Sequence, residues 1–194
     1  MFGLTEPCSL ASPPRDEALD RTRRLLRSEG GWIINSDRWI NEAAATQAAE
    51  QALHGQKLLD EQAVQAARDG HPGQPVLVER RDDEDRDYYL VPWNTERGTE
   101  LIVRIGAASG EFLGVVHVAD PTASHFLNAD EALARAREEL PGVEFDAPRC
   151  VWFPCRQSTT PMRPFYEFQF DGGTLYVDLE GIVYRELTPL GLGG

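Results

Sequence analysis

From Pro75 onwards the chain consists of short apolar runs separated by polar turns, and this pattern limits its possible folds most strongly. The first runs are 75–79, 88–93, 101–105 and 112–118. β-rich runs joined by short connections predict an antiparallel meander. After Pro141 the same pattern predicts strands at 143–145, 150–153, 165–170, 175–179 and 182–187.

Helical patterns precede both β-rich regions. Before the first, they predict a helix at 17–28, a helix from a cap at Ser36 or Asp37 to Gly55, and a helix at 60–69. Before the second, Asn128 can cap a helix, because Glu131 stands three residues later as its capping-box partner. The chain is therefore predicted to be an α+β protein.

The two β-rich regions share one order of elements. Helix 60–69 and helix 128–140 are each followed by a proline-glycine pair and then by strands that include aromatic residues. We therefore predict N-terminal helices followed by two repeats, each of one helix packed on an antiparallel β-meander. The predicted boundaries are 1–58 for the helical N-terminal segment, 59–120 for the first unit and 128–188 for the second.

Each predicted unit ends in a strand, a glycine-containing turn and a last strand. The turn residues are Ile105–Glu111 in the first unit and Val177–Ile182 in the second. With the preceding helix and aromatic strands, this order resembles the PepSY domain in two tandem copies. The first copy departs from the family at Gly106, where an aspartate often precedes the turn, and residues 1–58 match no family.

The resemblance implies a binding function. PepSY-type domains occur in the propeptides of thermolysin-type peptidases and in bacterial regulatory proteins, where they are taken to bind or inhibit partners rather than to catalyse. Such domains are usually exported, whereas the N-terminus of this chain shows no basic start followed by an apolar run. From the residues themselves we expect a cytoplasmic protein.

The chain is strongly acidic. Asp and Glu number 32 against 19 Lys and Arg, so the formal net charge is −13. This charge argues against nucleic acid and anionic membranes as partners. No apolar run approaches the length of about 18 residues that a membrane-spanning helix needs.

The three cysteines, Cys8, Cys150 and Cys155, are too few and too irregular for a disulfide framework. On one extended strand Cys150 and Cys155 would lie about 16 Å apart, and a disulfide tolerates only about 7 Å. They also lack the further ligands that a zinc site requires. We predict free thiols without metal.

No other set of residues predicts catalysis or a metal site. His117, Asp120 and His125 follow no regular spacing and are interpreted as part of the linker between the units. The acidic run 82–85 lacks the central glycine of a calcium loop and is interpreted as a solvated hairpin tip. Neither a serine nucleophile elbow nor a phosphate-binding loop is present. We predict no enzyme activity, no cofactor and no metal.

The acidic strands of the second unit suggest where a partner would bind. Strands that alternate aromatic with acidic side chains would present an acidic sheet surface, which could steer a basic protein partner. The alternative is that this charge serves solubility alone. The predicted partner-binding residues are Glu167, Asp171, Asp178, Glu180 and Glu186. We therefore predict a non-enzymatic binding or regulatory protein. An immunity protein that neutralises a basic toxin enzyme is the alternative, and an unrecognised enzyme is the third reading.

The apolar faces of the predicted elements also define a core. Large side chains on these faces contribute a few kcal/mol each when they are buried. The residues expected to be largely buried are Trp93, Leu101, Val103, Val115, Leu133, Trp152, Phe168 and Val177.

Overall fold

The computed structural model describes residues 38–55, 65–66, 68–83, 86–120 and 126–190, which all belong to one compact unit, Asp37–Gly194. Within these residues the structure gives the bounds of two helices and nine strands, which confirm the mixed α+β class. The helices are α1 (Glu42–Gly55) and α2 (Ala129–Glu139). The strands are β1 (His71–Pro72), β2 (Val76–Arg80), β3 (Tyr88–Thr95), β4 (Gly98–Gly106), β5 (Phe112–His117), β6 (Arg149–Trp152), β7 (Phe165–Phe170), β8 (Gly173–Asp178) and β9 (Val183–Tyr184).

All nine strands form one sheet, in the order β5-β4-β3-β2-β6-β7-β8-β9, with β1 beside β3. The strands from β2 to β5 form the predicted antiparallel meander, and those from β6 to β9 form a second one. The two meanders meet through a parallel pair, in which Glu79 of β2 lies beside Val151 of β6. The sequence patterns predicted separate meanders, because contacts between distant residues leave no local pattern.

The two helices pack on opposite faces of the sheet. Along β3, Tyr89 and Val91 belong to the core under α1, whereas Tyr88 and Leu90 belong to the core under α2. This alternation follows from the pleat, which points successive side chains to opposite sides. We call these sides the α1 face and the α2 face.

The sheet curves around its α2 face. Ile102 of β4 and Leu179, which follows β8, line the same small cavity, although four strands separate β4 from β8 in the sheet. A flat sheet would keep such strands about 24 Å apart. The curvature lets one core cluster enclose α2 and both halves of the sheet.

Helix α2 begins as predicted. The Asn128 side chain accepts hydrogen bonds from the N–H groups of Asp130 and Glu131, each at 3.0 Å, and Glu131 accepts one from the Asn128 N–H at 2.9 Å. This capping box satisfies three backbone donors at the helix start. Ala132 and Ala136 are fully buried, and their small side chains allow the helix to lie close to the strands.

Helix α1 begins later than predicted. Asn41, rather than Ser36 or Asp37, caps it by accepting a hydrogen bond from the Ala44 N–H at 2.8 Å. The preceding residue, Ile40, lies against the sheet instead, because its N–H donates to the Ala107 carbonyl at 2.8 Å. Predicted helix 17–28 lies outside the described residues. Predicted helix 60–69 is described only in part, and its residues 65, 66, 68 and 69 are helical.

In the second half of the chain, one predicted strand is wrong and another is too long. Residues 143–145 are not a strand, and Phe145 instead packs edge-on against Phe168 and Phe170 with ring centroids 5.7 Å apart. The strand predicted at 182–187 is limited to Val183–Tyr184. Both predictions rested on short apolar runs, which fit a packed loop as well as a strand.

The core prediction is confirmed for six of its eight residues. These six are at most 4 % exposed, and Val115 and Leu133 are partly buried against the two large core clusters. Cys150 and Cys155 are buried free thiols. They do not share a strand, since β6 ends at Trp152 and Cys155 forms an isolated bridge with Pro189. Burial raises the pKa of the Cys150 thiol.

Candidate functional site

The α1 face of strands β6, β7 and β8 is the candidate functional site. Strand register places Arg149 beside Glu167, and Glu167 beside Tyr176, on this face. Helix α1 covers the same face only over the other half of the sheet, and no helix of the described chain packs on it here. We call this surface the outer face, defined by Arg81, Arg149, Glu167, Tyr176 and Tyr184.

One buried carboxylate binds two arginines at the centre of the outer face. Glu167 Oε1 accepts hydrogen bonds from Arg81 Nη2 at 2.6 Å and from Arg149 Nη2 at 2.8 Å. The Glu167 side chain is 7 % exposed, whereas the Arg81 and Arg149 side chains are 36 % and 32 % exposed. The group therefore presents guanidinium, not carboxylate, to the surface.

An aromatic cluster lies beside these arginines. Phe165 is almost fully buried between Tyr176 and Tyr184, with ring centroids at 6.4 and 5.7 Å in edge-on geometry. Both tyrosines are half-buried and share this cluster with Leu187. Burial and the Glu167 carboxylate raise the pKa of Tyr176, so its hydroxyl stays neutral and can donate or accept a hydrogen bond. Arginine and tyrosine are the residues that most often dominate protein–protein binding.

Asp178 holds the turn between β8 and β9. Its Oδ1 accepts hydrogen bonds from the N–H groups of Glu180 and Ile182, at 3.0 and 2.9 Å, and its Oδ2 accepts one from the Tyr184 hydroxyl at 3.1 Å. Gly181 adopts a positive φ of 87° in this turn. Asp178 is therefore a structural residue that is 6 % exposed.

The Tyr184 hydroxyl should titrate at high pH. Burial, the Asp178 charge and the hydrogen bond to Asp178 raise its pKa to about 12. The stability that this interaction contributes is present below the ordinary tyrosine pKa of about 10 and is lost as pH rises through the folded-state pKa. In Asp178→Asn we expect the Tyr184 pKa to fall towards the ordinary value, measured by NMR titration of ¹³C-labelled tyrosine. An unchanged midpoint would show that Asp178 does not influence Tyr184.

The structure separates the five acidic residues predicted to bind a partner. Glu167 and Asp178 are buried and hydrogen-bonded, so they offer no free carboxylate. Asp171, Glu180 and Glu186 are exposed and lie beyond the ends of the strands. Glu180 forms an ion pair with Arg163 at 2.6 Å. We call these three exposed residues the acidic rim. The five acids therefore do not form one continuous exposed surface.

Arg81, Arg149 and Tyr176 were not predicted as site residues from the sequence. Arg81 follows β2, and it reaches Glu167 only because β2 pairs with β6 in parallel. Alternation along β8 could have placed Tyr176 on the same face as Asp178. Nothing near Arg81 in the sequence indicates its partner.

The other candidate sites have simpler roles. A hydrogen bond from Arg80 lowers the pKa of Asp82, and Asp83 pairs with Arg86 at 3.0 Å. Residues 84 and 85 of the acidic run lie outside the described residues, and so does residue 125 of the histidine cluster. Within the described ranges, no group of three or more His, Cys, Asp or Glu side chains could hold a metal ion.

The cavity beside Ile102 and Leu179 has a volume of about 60 Å³. Pockets that bind small molecules usually measure about 300–1,000 Å³, so this cavity is much smaller than a typical ligand pocket. Among the helices that the structure describes, none has the length and apolarity to cross a membrane.

Comparisons with known proteins add little to this picture. No family model matches the chain, and no curated protein matches it. Among solved structures, the crystal structure of a candidate lipoprotein from Clostridium difficile 630 matches 62 % of this chain and 82 % of its own, at 14 % sequence identity and a TM-score of 0.24. A similarity at that score carries no argument about fold or function. The outer face is therefore the basis for a functional proposal.

Proposed function

We propose that this chain is a non-enzymatic, cytoplasmic, PepSY-like regulatory protein that binds a protein partner through the outer face. The observation that carries the proposal is the group of Arg81, Arg149 and Tyr176. These side chains are partly exposed on a sheet face over which no helix of the described residues packs. Arginine and tyrosine at the centre of a surface, with charged residues around it, is the usual composition of a binding interface.

The turns that follow β4 and β8 support the PepSY-like part of the proposal. At the end of β4 the Gly106 N–H donates to the Glu111 carbonyl at 2.8 Å, and at the end of β8 the Asp178 N–H donates to the Ile182 carbonyl at 3.0 Å. Each turn contains a glycine with positive φ. Gly106 and Asp178 thus occupy similar places, and the aspartate that the first unit lacks caps the turn in the second.

The charge of the partner follows from the acidic rim. Asp171, Glu180 and Glu186 are exposed beyond the ends of the strands that carry the outer face, and the whole chain carries a net charge of −13. A basic partner would be attracted over a distance comparable to the Debye length, which is about 10 Å at 0.1 M salt. The rim would then govern the association rate, while the central arginines and tyrosines would govern dissociation.

Reversing the rim charges should slow association with this partner. The partner is first captured by pull-down from the native host, and its association rate is then measured at low salt by surface plasmon resonance. We expect Asp171→Lys/Glu180→Lys/Glu186→Lys to associate about tenfold more slowly than the parent, because charge steering is lost. Tyr176→Ala should instead speed dissociation.

A matched variant controls for net charge. Glu96, Glu111 and Glu138 are exposed and lie away from the outer face, on turns of the first half and on α2. Their triple replacement by lysine makes the same charge change and should slow association much less. Equal association rates for the rim variant and the parent would overturn the proposal. Capture of a toxin enzyme would identify an immunity protein, and capture of a peptidase or sensor would identify a regulator.

A further inference from the structure

Strand β5 leaves one side of its backbone open. It pairs with β4, and nothing in the described part of the chain pairs with its other side. The Val118 N–H donates to the Glu100 carbonyl at 2.8 Å, which fixes the alternation of hydrogen-bonded pairs along this ladder. Val115 and His117 therefore direct their N–H and C=O groups away from β4. These groups are the template that an added strand requires.

The side chains of this edge are unusual for an exposed strand. Residues 112–117 contain no Lys, Arg, Asp, Glu or Pro, and Leu113 and Val116 are each 38 % exposed. The opposite edge strand, β9, has only two residues and is followed by Arg185 and Glu186. Short length and flanking charge protect an edge from pairing. The β5 edge lacks both protections, although a bulge near Gly114 shortens its regular part.

An arginine without a carboxylate partner lies beside the open edge. Arg104 of β4 pairs with Gly114, which has no side chain, and its Nη2 donates to the Leu113 carbonyl at 3.2 Å. The guanidinium lies 5.6 Å from the centre of the Tyr88 ring, and its buried Nε has no hydrogen-bond partner. None of its contacts within the described residues is a carboxylate. Burial lowers the pKa of Arg104, which is the effect expected of a charge without a counter-ion.

We propose that β5 accepts an extended segment of a protein partner as an added strand, and that this segment alternates apolar and acidic side chains. Its backbone would pair with Val115 and His117, its apolar side chains would extend the α1-face core beyond Phe112 and Val115, and a carboxylate on the α2 face would pair with Arg104. Strand addition supplies affinity through the main chain and selectivity through alternate side chains. The site lies at the opposite end of the sheet from the outer face, so it does not depend on the function proposed above.

A synthetic peptide tests this proposal. The probe is a fluorescent heptapeptide of alternating valine and glutamate with blocked ends, and binding is measured by fluorescence anisotropy. We expect saturable binding to the parent protein, and binding at least about tenfold weaker for the valine–lysine peptide, because a charge-assisted pair with Arg104 is replaced by repulsion. Arg104→Gln should remove the preference for glutamate.

Backbone pairing is tested separately. His117→Pro removes an outward N–H without removing a hydrogen bond to β4, so it should abolish peptide binding, whereas His117→Ala should retain it. A heptapeptide N-methylated at every second residue should bind neither the parent protein nor His117→Ala. This second test stays valid if the proline variant fails to fold. Equal binding of the glutamate and lysine peptides, or of the N-methylated peptide, would overturn the proposal. So would a dimer of the parent protein, seen by sedimentation, that His117→Pro converts to monomer, because a second copy would then occupy the edge.

Discussion

Phe168→Ala is expected to lower the free energy of unfolding by about 3–5 kcal/mol, the range for truncating a buried phenylalanine. Phe168 is fully buried in the core on the α2 face, where its ring meets Phe145 edge-on. Its removal leaves a cavity that the surrounding β-strands cannot collapse to fill. Against a total stability of about 5–15 kcal/mol for a typical domain, this loss would unfold a large fraction of the molecules on mild warming.

Phe170 provides the matched control for this variant. It lies on the same strand and the same face, and its ring also meets Phe145 at 5.7 Å, but it is only partly buried. We expect Phe170→Ala to cost less than half as much, measured by urea unfolding at equilibrium. If the two substitutions cost the same, the core does not centre on Phe168 as described.

Asp178→Ala is expected to cost about 2–3 kcal/mol, because it leaves two backbone N–H groups and a tyrosine hydroxyl without their acceptor. These donors belong to Glu180, Ile182 and Tyr184, and together they fix the turn between β8 and β9. Asp171→Ala is the control, since this exposed aspartate should change stability by less than about 0.5 kcal/mol. A comparable loss in both variants, measured by thermal unfolding, would show that Asp178 holds no special position.

The stability loss of Asp178→Ala determines how charge reversals in the second half of the chain are interpreted. A lysine at Asp178 would slow partner binding by disordering the turn, even if the charge of the surface were irrelevant. The acidic rim therefore excludes Asp178, and only exposed acids test electrostatic steering.

Local chemistry predicted the local structure well. The Asn128 capping box and strand 165–170 appear where their residues indicated, because both depend on interactions within a few residues. The predictions failed where a distant contact prevails over local preference. Phe145 packs against Phe168 rather than extending into a strand, and Leu187 turns to the cluster around Phe165 rather than continuing β9.

The candidate site could be predicted from the sequence less well than the fold. An excess of acids in the last strands drew attention to this part of the chain, but charge counts cannot tell a buried carboxylate from an exposed one. Glu167 is neutralised by Arg81, a residue from the other half of the sheet. Composition therefore indicated an acidic surface where the fold exposes arginine and tyrosine.

The parallel pair of β2 and β6 affects how the protein is made. Ribosomes add about 5–20 residues per second, so the β2–β5 meander emerges several seconds before β6. During that time β2, with Val76 and Val78, is an outer strand of the nascent domain. Closing this pair requires a long loop to be ordered first, which makes it a slow step of folding. The centre of the finished sheet is thus an unpaired edge of the growing chain.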